Sequence, residues 1–520
     1  MQNINFGSLG KTPTIVRASE IAVDLTSTPL KYHRHGWQSW SLAAWTKLNP
    51  MLLQQPAIFH PLQVDVEYVR EKNHNGSWFG ALEFEDGNIL LLGALALGAH
   101  VFFAGTQLTG RFESGEGEWF AAYGRENAVF EEYAQKLADR FGRKKTGAAP
   151  RVWCSWYSLY HAIDETALFN TFEKLGDLPF DVLQVDDGWQ RSIGDWEPNA
   201  KFPSGMDALA ARIKSTGRMA GLWLAPLIAT RSSRLFHKHP DWFLRDARGR
   251  HVSAGFGWGQ QLYALDTTQP EAIDWLGTLM KQVRAWGFDY LKLDFLYAGA
   301  LKGIRSADIA REAAYRDALE LMRGAMGSDA FFLGCGTPII PALGLCDAIR
   351  IGPDVAHQWE KYRDAVLLYN HTTPGTRNAI RTVMNRLWLK QIIQIDPDVV
   401  YFGERENEMT HAQKSLLQDL ALVCQFKATS DLPQWMTTAE LGQLRQFLEA
   451  DPKIEQMGRY VFQLDHRVVD FSAAVELPEA PMGMVAAWGA FLGWLGSLPF
   501  VLRIINRIDD EVLRKRRASI

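Results

Sequence analysis

The chain has few cysteines and no excess of basic residues. Its 520 residues include only Cys154, Cys335, Cys346 and Cys424, which are too dispersed for a disulfide scaffold and form no CxxC pair for zinc or redox chemistry. A net charge of −4 gives no basic surface of the kind that binds nucleic acid. The N-terminus lacks the apolar segment of a secretory signal, so we expect a cytoplasmic protein.

Motifs of several enzyme classes are missing as well. The chain has no GxSxG nucleophile motif, no GxGxxG and no phosphate-binding P-loop. The histidines of HKH (237–239) lack metal-ligand spacing, so neither a metal nor a cofactor is predicted. Tryptophan is abundant, with 19 copies. Its flat aromatic surface fills cores but also suits the apolar faces of sugars, which is a hint of carbohydrate binding.

The first part of the chain has the pattern of an antiparallel β-sandwich domain, residues 1–143. Gly, Asn and Asp separate short β-rich runs, which cover residues 60–70, 76–88, 89–105 and 110–124. A Lys/Gly/Pro-containing linker, 144–151, follows these runs.

The central part, residues 144–431, alternates between strand-like and helical segments. Predicted helices include 269–287 and 306–325. The eight strand-like runs are 152–158, 181–189, 219–228, 288–297, 329–336, 347–355, 396–403 and 422–431. This alternation fits a (β/α)8 TIM barrel better than a doubly wound sheet. In such a barrel the catalytic residues come from the C-terminal ends of different strands.

Two further segments follow the predicted barrel. Residues 432–480 form a small region with one helical stretch and a short β unit, and 481–520 form an apolar tail with a basic end. Its uncharged part, 481–502, is long enough to span a bilayer and contains a GxxxG spacing. The alternatives are membrane association through this segment, a helix packed on the barrel, a contact in a homo-oligomer, or a non-native end of the chain.

Acidic residues stand at the ends of predicted barrel strands. Asp186 and Asp187 in QVDDGW can both serve a ligand only if the strand has already ended, because adjacent strand side chains point opposite ways; an ordinary turn is the alternative. Lys292 and Asp294 share one strand face, where the ammonium would favour the ionised carboxylate. Asp294 is therefore a candidate nucleophile, unless the two form only a structural ion pair.

A third acid follows Gly-Pro at the end of another strand. Asp354 lies four residues after Arg350, either as a structural ion pair or as a side chain that faces the barrel mouth. Asp347 precedes the same strand and is interpreted as a cap or turn residue. Two carboxylates on opposite sides of one mouth are what glycoside hydrolysis requires, about 5–5.5 Å apart in a retaining enzyme.

A long series of motifs carries a family resemblance. In order, they are HGWQSWS (35–41), WCSWYSLY (153–160), VDDGWQ (185–190), GDWEPNAKFPSGM (194–206), GLWLAP (221–226), HPDW (239–242), LDTTQPEA (265–272), YLKLDF (290–295), GCGTP (334–338), RIGPDV (350–355) and IDPDVV (395–400). On these motifs the chain resembles the α-galactosidases of glycoside hydrolase family 36 and, more distantly, those of family 27 in the same clan.

The resemblance implies a retaining double displacement on a terminal α-linked galactose, without a cofactor. Asp294, in K-x-D, matches the nucleophile, and Asp354, in R-x-x-x-D, matches the acid/base. Asp186 and Asp187 match the pair that holds the 4- and 6-hydroxyls.

The resemblance also implies further contacts to the sugar. Lys292 matches a ligand of the 3- and 4-hydroxyls, Arg350 lies near the 2-hydroxyl, and Cys335 and Gly336 line the 2-position. Aromatic wall or stacking residues would be Trp156, Trp189 and Trp223, with Trp37 and Trp40 reaching over the pocket from the N-terminal domain, often of a neighbouring subunit.

The chain also departs from the family pattern. It has GCGTPIIPALGLCDAIRIGPD where many family members have CxSGGG and an acid motif W-(T/S)-S-D, and its C-terminal β region is short. The departure affects the 2-position, so an α-N-acetylgalactosaminidase is an alternative. An α-galactosyltransferase resembling raffinose synthase and a non-catalytic carbohydrate-binding protein are the others.

Overall fold

The computed structural model describes residues 2–9, 12–48, 61–69, 71–143, 147–360 and 371–477, together with Trp488, Phe491 and Leu495. Apart from those last three residues, the predicted apolar tail with its basic end lies outside the described residues. In the part of the chain that is described, no helix has the length and apolar character needed to cross a membrane.

The N-terminal region folds as two packed sheets. Its described strands are β1 Gln2–Asn5, β2 Thr14–Ala18, β3 Glu20–Asp24, β4 Lys31–His35, β5 Ala43–Lys47, β6 His74–Ser77, β7 Phe79–Glu83, β8 Ile89–Ala94, β9 Ala99–Ala104, β10 Gln107–Phe112 and β11 Gly117–Gly124. One sheet has the order β1-β3-β10-β9-β6 and the other β2-β11-β8-β7-β4-β5. Pairing is antiparallel except between β1 and β3, which confirms the predicted sandwich.

One predicted strand of this region is wrong. Within 60–70, the described residues form a 3-10 helix, Pro61–Gln63, followed by turns. Pro61 has no N–H to donate to a sheet ladder, and the Asp65 side chain accepts the backbone N–H of Glu67 at 3.2 Å. Both features favour a turn over the extended chain that the apolar alternation predicted.

The central region is a parallel barrel. Its strands, five of which form two small inserted antiparallel sheets, are β12 Val152–Cys154, β13 Val182–Val185, β14 Gln190–Ser192, β15 Asp195–Pro198, β16 Met219–Leu224, β17 Ile228–Thr230, β18 Ser253–Gly257, β19 Gln260–Ala264, β20 Tyr290–Leu293, β21 Phe331–Gly334, β22 Ala348–Arg350, β23 Gln394–Asp396 and β24 Ala428–Thr429. Eight of these form a sheet of order β23-β22-β21-β20-β16-β13-β12-β24. A parallel bridge between Val400 and Thr429 joins its two ends. The TIM-like barrel is thus confirmed.

The predicted strand runs agree with this sheet in all but one case. Seven of them contain the observed strand, whereas the run 396–403 overlaps β23 only at Asp396. The chain cannot continue as a strand beyond that residue, because Pro397 lacks an N–H and Asp398 has a left-handed φ of 84°.

Helices cover the outside of the barrel. The described ones are α1 Glu126–Phe141, α2 Trp156–Leu159, α3 Glu165–Lys174, α4 Gly205–Lys214, α5 Arg234–Lys238, α6 Pro270–Trp286, α7 Arg311–Met326, α8 Thr376–Met384, α9 His411–Cys424, α10 Thr438–Glu449 and α11 Ser472–Val475. The α6 helix matches its prediction because the Gln269 side chain caps it, Pro270 occupies its first turn and Gly287, at φ 101°, ends it. The α7 helix begins five residues later than the predicted 306.

A small antiparallel sheet follows α10, as the sequence predicts. Its strands are β25 Ile454–Gln456, β26 Val461–Leu464 and β27 Arg467–Asp470. Arg459, before β26, binds Glu83 of the N-terminal sandwich at 2.7 Å and Glu126 at the start of α1 at 2.5 Å. These ion pairs connect the small sheet to the first domain.

Candidate active site

Acidic side chains gather at one end of the barrel. Asp186 and Asp187 follow β13, Asp294 follows β20, and Asp354 lies four residues after the end of β22. Because the strands are parallel, their C-terminal ends all open on the same mouth, where TIM barrels hold their active sites. The predicted acids are therefore brought together by the fold.

Asp294 is held by two N–H donors, one on each carboxylate oxygen. Trp223 Nε1 donates to Oδ2 at 3.0 Å, and the backbone N–H of Phe295 donates to Oδ1 at 2.8 Å. The second bond depends on a turn directly after the strand, where Phe295 has a left-handed φ of 53°. The two donors fix the orientation of a carboxyl group that is almost fully buried.

Lys292 and Asp186 form a buried ion pair. The Lys292 ammonium lies 2.9 Å from Asp186 Oδ2, which also accepts from Gln184 Nε2 at 2.6 Å. Burial favours neutral Lys292, but the charge of Asp186 outweighs it, so the lysine pKa lies well above its usual value. The sequence predicted that Lys292 would lie beside Asp294. In the structure its ion pair is with Asp186, because β20 ends at Leu293 and the alternation of side chains stops there.

Asp187 points to the other side of the same strand end. Gln190 Nε2 donates to its Oδ1 at 2.6 Å and Trp258 Nε1 to its Oδ2 at 2.8 Å. Burial raises the pKa of Asp187 despite these donors. The two neighbouring acids thus differ: one is neutralised by a lysine and the other is held by neutral donors.

Arg350 connects Asp354 to two acids that the sequence analysis did not identify. Its Nε donates to Asp396 Oδ2 at 2.8 Å, while Nη1 lies 2.8 Å from Asp398 Oδ2 and 3.2 Å from Asp354 Oδ1. The guanidinium is buried, and the side chains of Asp396 and Asp398 are buried with it. Arg350 is therefore shared among three carboxyl groups.

Asp354 has the environment of a general acid. Burial and the nearby charge of Asp398 raise its pKa to about 7, against the opposing charges of Arg350 and Lys292, and Asp294 adds to the rise. About a third of the Asp354 side chain is still exposed. Burial also raises the pKa of Asp398, which the charge of Arg350 opposes.

The predicted 2-position residues lie beside the Asp294 turn. The backbone N–H of Cys335 donates to the Leu293 carbonyl at 2.7 Å, and its thiol is buried. Gly336 has a left-handed φ of 54°, and a Cβ there would lie 3.1 Å from the Trp40 ring and 3.2 Å from the Phe295 nitrogen. Glycine thus allows Trp40 to approach the turn.

The predicted aromatic residues fall into two groups. Trp40 and Trp156 are partly exposed, and Trp40 packs edge-on against Phe295 at 5.2 Å within the same chain. Trp37, Trp189 and Trp223 are buried, with Nε1 atoms that donate to the Leu62 carbonyl, the Trp223 carbonyl and Asp294 respectively. Trp37 and Trp189 are therefore packed in the core, whereas Trp223 donates a hydrogen bond to the Asp294 carboxylate.

Sequence reasoning missed Trp258, Asp396, Asp398 and Tyr157. Trp258 lies between β18 and β19 and contacts Trp223 and Phe295. Tyr157, in α2, donates its hydroxyl to Asp398. Of these, the two acids carried a usable signal, since they stand in IDPDVV at a strand end. In the described residues, no group of three or more acidic, histidine or cysteine side chains is arranged to hold a metal ion.

Comparison with known proteins identifies the family and the fold. The sequence profile of the Melibiase family matches residues 122–324. The structure is similar to that of TtGalA, an α-galactosidase from Thermus thermophilus in complex with p-nitrophenyl α-D-galactopyranoside, with a TM-score of 0.83, 44% identity, and coverage of 88% of this chain and 94% of that chain. The chain belongs to the Melibiase family of α-galactosidases. A second TtGalA structure, in complex with stachyose, matches with 45% identity and a TM-score of 0.79, over 84% of this chain and 93% of that one.

More distant members of this family are larger. The α-galactosidase AgaA from Geobacillus stearothermophilus is 32% identical over 129 residues, which are 23% of this chain and 17% of that protein. Its crystal structure shares the fold with a TM-score of 0.56 at 17% identity, over 82% of this chain and 61% of that one. The aligned parts of this chain thus span less than two thirds of the length of AgaA.

Proposed function

We propose that this protein is a retaining glycosidase that removes terminal α-linked galactose from α-galactosides. The observation that carries the proposal is the contrast between two carboxyl groups at one barrel mouth. Asp294 accepts N–H donors on both oxygens, whereas Asp354 has a pKa raised to about 7. A carboxylate and a neighbouring carboxylic acid at neutral pH are the nucleophile and the acid that a retaining glycosidase needs.

The first half of the reaction forms a covalent intermediate. An Asp294 oxygen attacks the anomeric carbon and forms a new C–O bond as the glycosidic C–O bond breaks. The proton of the Asp354 carboxyl group goes to the departing glycosidic oxygen, so the aglycone leaves as a neutral alcohol.

The second half releases the sugar. Asp354, now a carboxylate, takes a proton from water as the water oxygen bonds to the anomeric carbon and the bond to Asp294 breaks. Two inversions give net retention, and both acids return to their starting protonation states. The Trp223 and Phe295 N–H groups hold the Asp294 carboxyl group in place.

The sugar would be held by the remaining residues of the mouth. Asp186, Asp187 and Lys292 supply buried charged groups that match a set of ring hydroxyls, with Arg350 and Cys335 near the 2-position. The comparison with TtGalA supports galactose as the sugar, since its structures hold a nitrophenyl α-galactoside and stachyose. Trp40 and Trp156, which are partly exposed, are two of the aromatic residues available to line the entrance.

The experiment is azide trapping with p-nitrophenyl α-galactoside. In Asp294→Ala, azide should attack the substrate directly and give the β-galactosyl azide. In Asp354→Ala, azide should attack the covalent intermediate and give the α-galactosyl azide. Asp347→Asn is the matched control, because Asp347 binds Arg323 at 2.5 Å and the Phe332 N–H at 2.8 Å before β22, away from the mouth.

The outcomes separate the alternatives. Loss of wild-type hydrolysis in Asp347→Asn, or unchanged hydrolysis in Asp294→Ala, would contradict the assignment. Faster release from the corresponding α-N-acetylgalactosaminide would assign the other sugar. With excess sucrose, a trisaccharide as the main product would indicate a transferase.

A further inference from the structure

We propose that Asp398 is a positioning residue for the general acid: it stays a carboxylate and so keeps the shared proton on Asp354. The proposal rests on the proposed function, in which Asp354 donates that proton to the leaving group. Asp398 itself has no part in bond formation.

The hydrogen bonds of Asp398 favour its ionised form. Its Oδ2 accepts the Val355 N–H at 3.0 Å and the Tyr157 hydroxyl, and its Oδ1 accepts the Val399 N–H at 2.8 Å. Arg350 Nη1 forms an ion pair with Oδ2 at 2.8 Å. A guanidinium and two backbone N–H groups can only donate. A proton on Oδ2 would have to displace one of these contacts, and a proton on either oxygen would remove the charge that pairs with Arg350.

Asp354 has much weaker support as a carboxylate. Within the described residues, its carboxyl group makes a single hydrogen bond, with Arg350 Nη1 at 3.2 Å, and its side chain is partly exposed. Since Asp354 and Asp398 contact the same nitrogen, their oxygens lie within about 6 Å of each other. Two carboxyl groups this close ionise in sequence, and the one with fewer donors keeps the proton.

The backbone conformation at Asp398 directs its carboxylate toward this site. Asp398 has a φ of 84°, a region that residues other than glycine rarely adopt, and its N–H donates to Asp396 Oδ1 at 2.7 Å. This turn directs the carboxylate to Arg350 and to the N–H of Val355, the residue next to Asp354. A strained conformation held by a neighbouring side chain is typical of functional sites.

Other groups also act on the pair and remain unchanged in the test. Charges and titratable groups face it from several strand ends and from α2: Arg350, Lys292, Asp294, Asp396, Tyr157, Tyr401 and Cys335. The experiment must therefore remove only the charge of Asp398.

The test is the pH profile of kcat/KM in Asp398→Asn, with p-nitrophenyl α-galactoside as the substrate. For two charges about 6 Å apart at an effective dielectric constant near 20, loss of the Asp398 charge lowers the pKa of its neighbour by about 1 to 2 units. The alkaline limb of the profile reports the pKa of the general acid, so it should move to lower pH by that amount. A purely structural role would lower the activity without moving the limb.

A second readout is the leaving group. At a pH between the shifted limb and the wild-type limb, Asp398→Asn should reduce hydrolysis of an α-galactosyl sugar more than hydrolysis of the nitrophenyl glycoside, whose leaving group needs less protonation. Asp431→Asn is the matched control, because Asp431 is a buried acid after β24 that accepts the Phe402 N–H at 2.6 Å and is not bonded to Arg350 or Asp354. Its limb should stay in place.

The result that would overturn the proposal is a folded Asp398→Asn variant whose limb coincides with that of Asp431→Asn. If Asp398→Asn does not fold, Tyr157→Phe replaces it, since it removes one donor from Asp398 and should move the limb down by less; an unmoved limb would overturn the proposal equally. Failure of the proposed function looks different, because then the wild type lacks α-galactosidase activity or Asp354→Asn retains the limb.

Discussion

Arg386 is expected to hold the N-terminal domain against the active site. It is fully buried and donates to four backbone carbonyls: from Nη1 to Ser39 at 2.6 Å and Ile351 at 3.0 Å, and from Nη2 to Gly36 and Gln38, both at 3.0 Å. Burial lowers its pKa to about 9. It thereby joins the turn 36–41, which carries Trp40, to the chain just after β22.

The expected loss of stability in Arg386→Met follows from these hydrogen bonds. Each buried carbonyl left without a donor costs about 1–3 kcal/mol, so four would cost about 4–12 kcal/mol if the losses were additive. The variant also loses a buried charge whose desolvation was unfavourable, and water can enter the vacated space. We therefore expect the free energy of unfolding to fall by about 2–5 kcal/mol in Arg386→Met. Arg386→Lys should lose less, because its ammonium can still reach some of the four oxygens, although not all of them.

The assay combines thermal unfolding with steady-state kinetics. Arg386→Met should lower the unfolding temperature by several degrees. It should also raise KM for p-nitrophenyl α-galactoside, because the turn that Arg386 holds carries Trp40, which packs beside Phe295 and Gly336. Arg316→Met is the control, since Arg316 donates to the Pro341 and Leu343 carbonyls at 2.9 and 2.8 Å but contacts none of the site residues. It should lower the unfolding temperature and leave KM unchanged. Wild-type values for Arg386→Met in both measurements would refute the reasoning.

Two further predictions concern pH. Because the pKa of Asp354 is raised to about 7 and the acid must be protonated to act, kcat/KM should fall about tenfold per unit above pH 7; a flat profile up to pH 9 would contradict this. His33 is buried and its pKa is lowered to about 3, so the stability that it contributes is complete above about pH 6.5 and is lost as the pH falls, at about 1.4 kcal/mol per unit. Thermal unfolding from pH 7 to 4.5 should therefore be less pH-dependent in His33→Gln than in the wild type, and equal slopes would refute the reasoning.

The barrel was predictable because its strands are short apolar runs bounded by turn residues. The pattern gives the number and order of the strands, and their shared direction places Asp186, Asp187, Asp294 and Asp354 at one mouth. Partners across the mouth were not predictable in the same way. Lys292 binds Asp186, 106 residues away, rather than Asp294 two residues away. Local alternation cannot show where a strand ends, and that end decides which way Asp294 turns.

Trp258 is a second contact that the local sequence pattern cannot predict. It lies 71 residues from Asp187 in sequence and reaches it only because a hairpin inserted after β16 folds back over the mouth. Its side chain is one of 19 tryptophans, and neither its neighbours nor its spacing distinguishes it from those that fill the core. Composition indicated that aromatic side chains would matter, and only the fold shows which ones meet the acids.

Asp398, in contrast, could have been found with the rule that found the others. Each predicted site acid stands one to four residues after the end of a barrel strand, and Asp398 stands two residues after the end of β23. The sequence pattern conceals it because the apolar residues after it extend the predicted strand to 403. Pro397 and the left-handed Asp398 end that strand at Asp396. A proline between two acids in an apolar run is therefore a candidate strand end, and in this barrel it places a carboxylate beside Asp354, the proposed general acid.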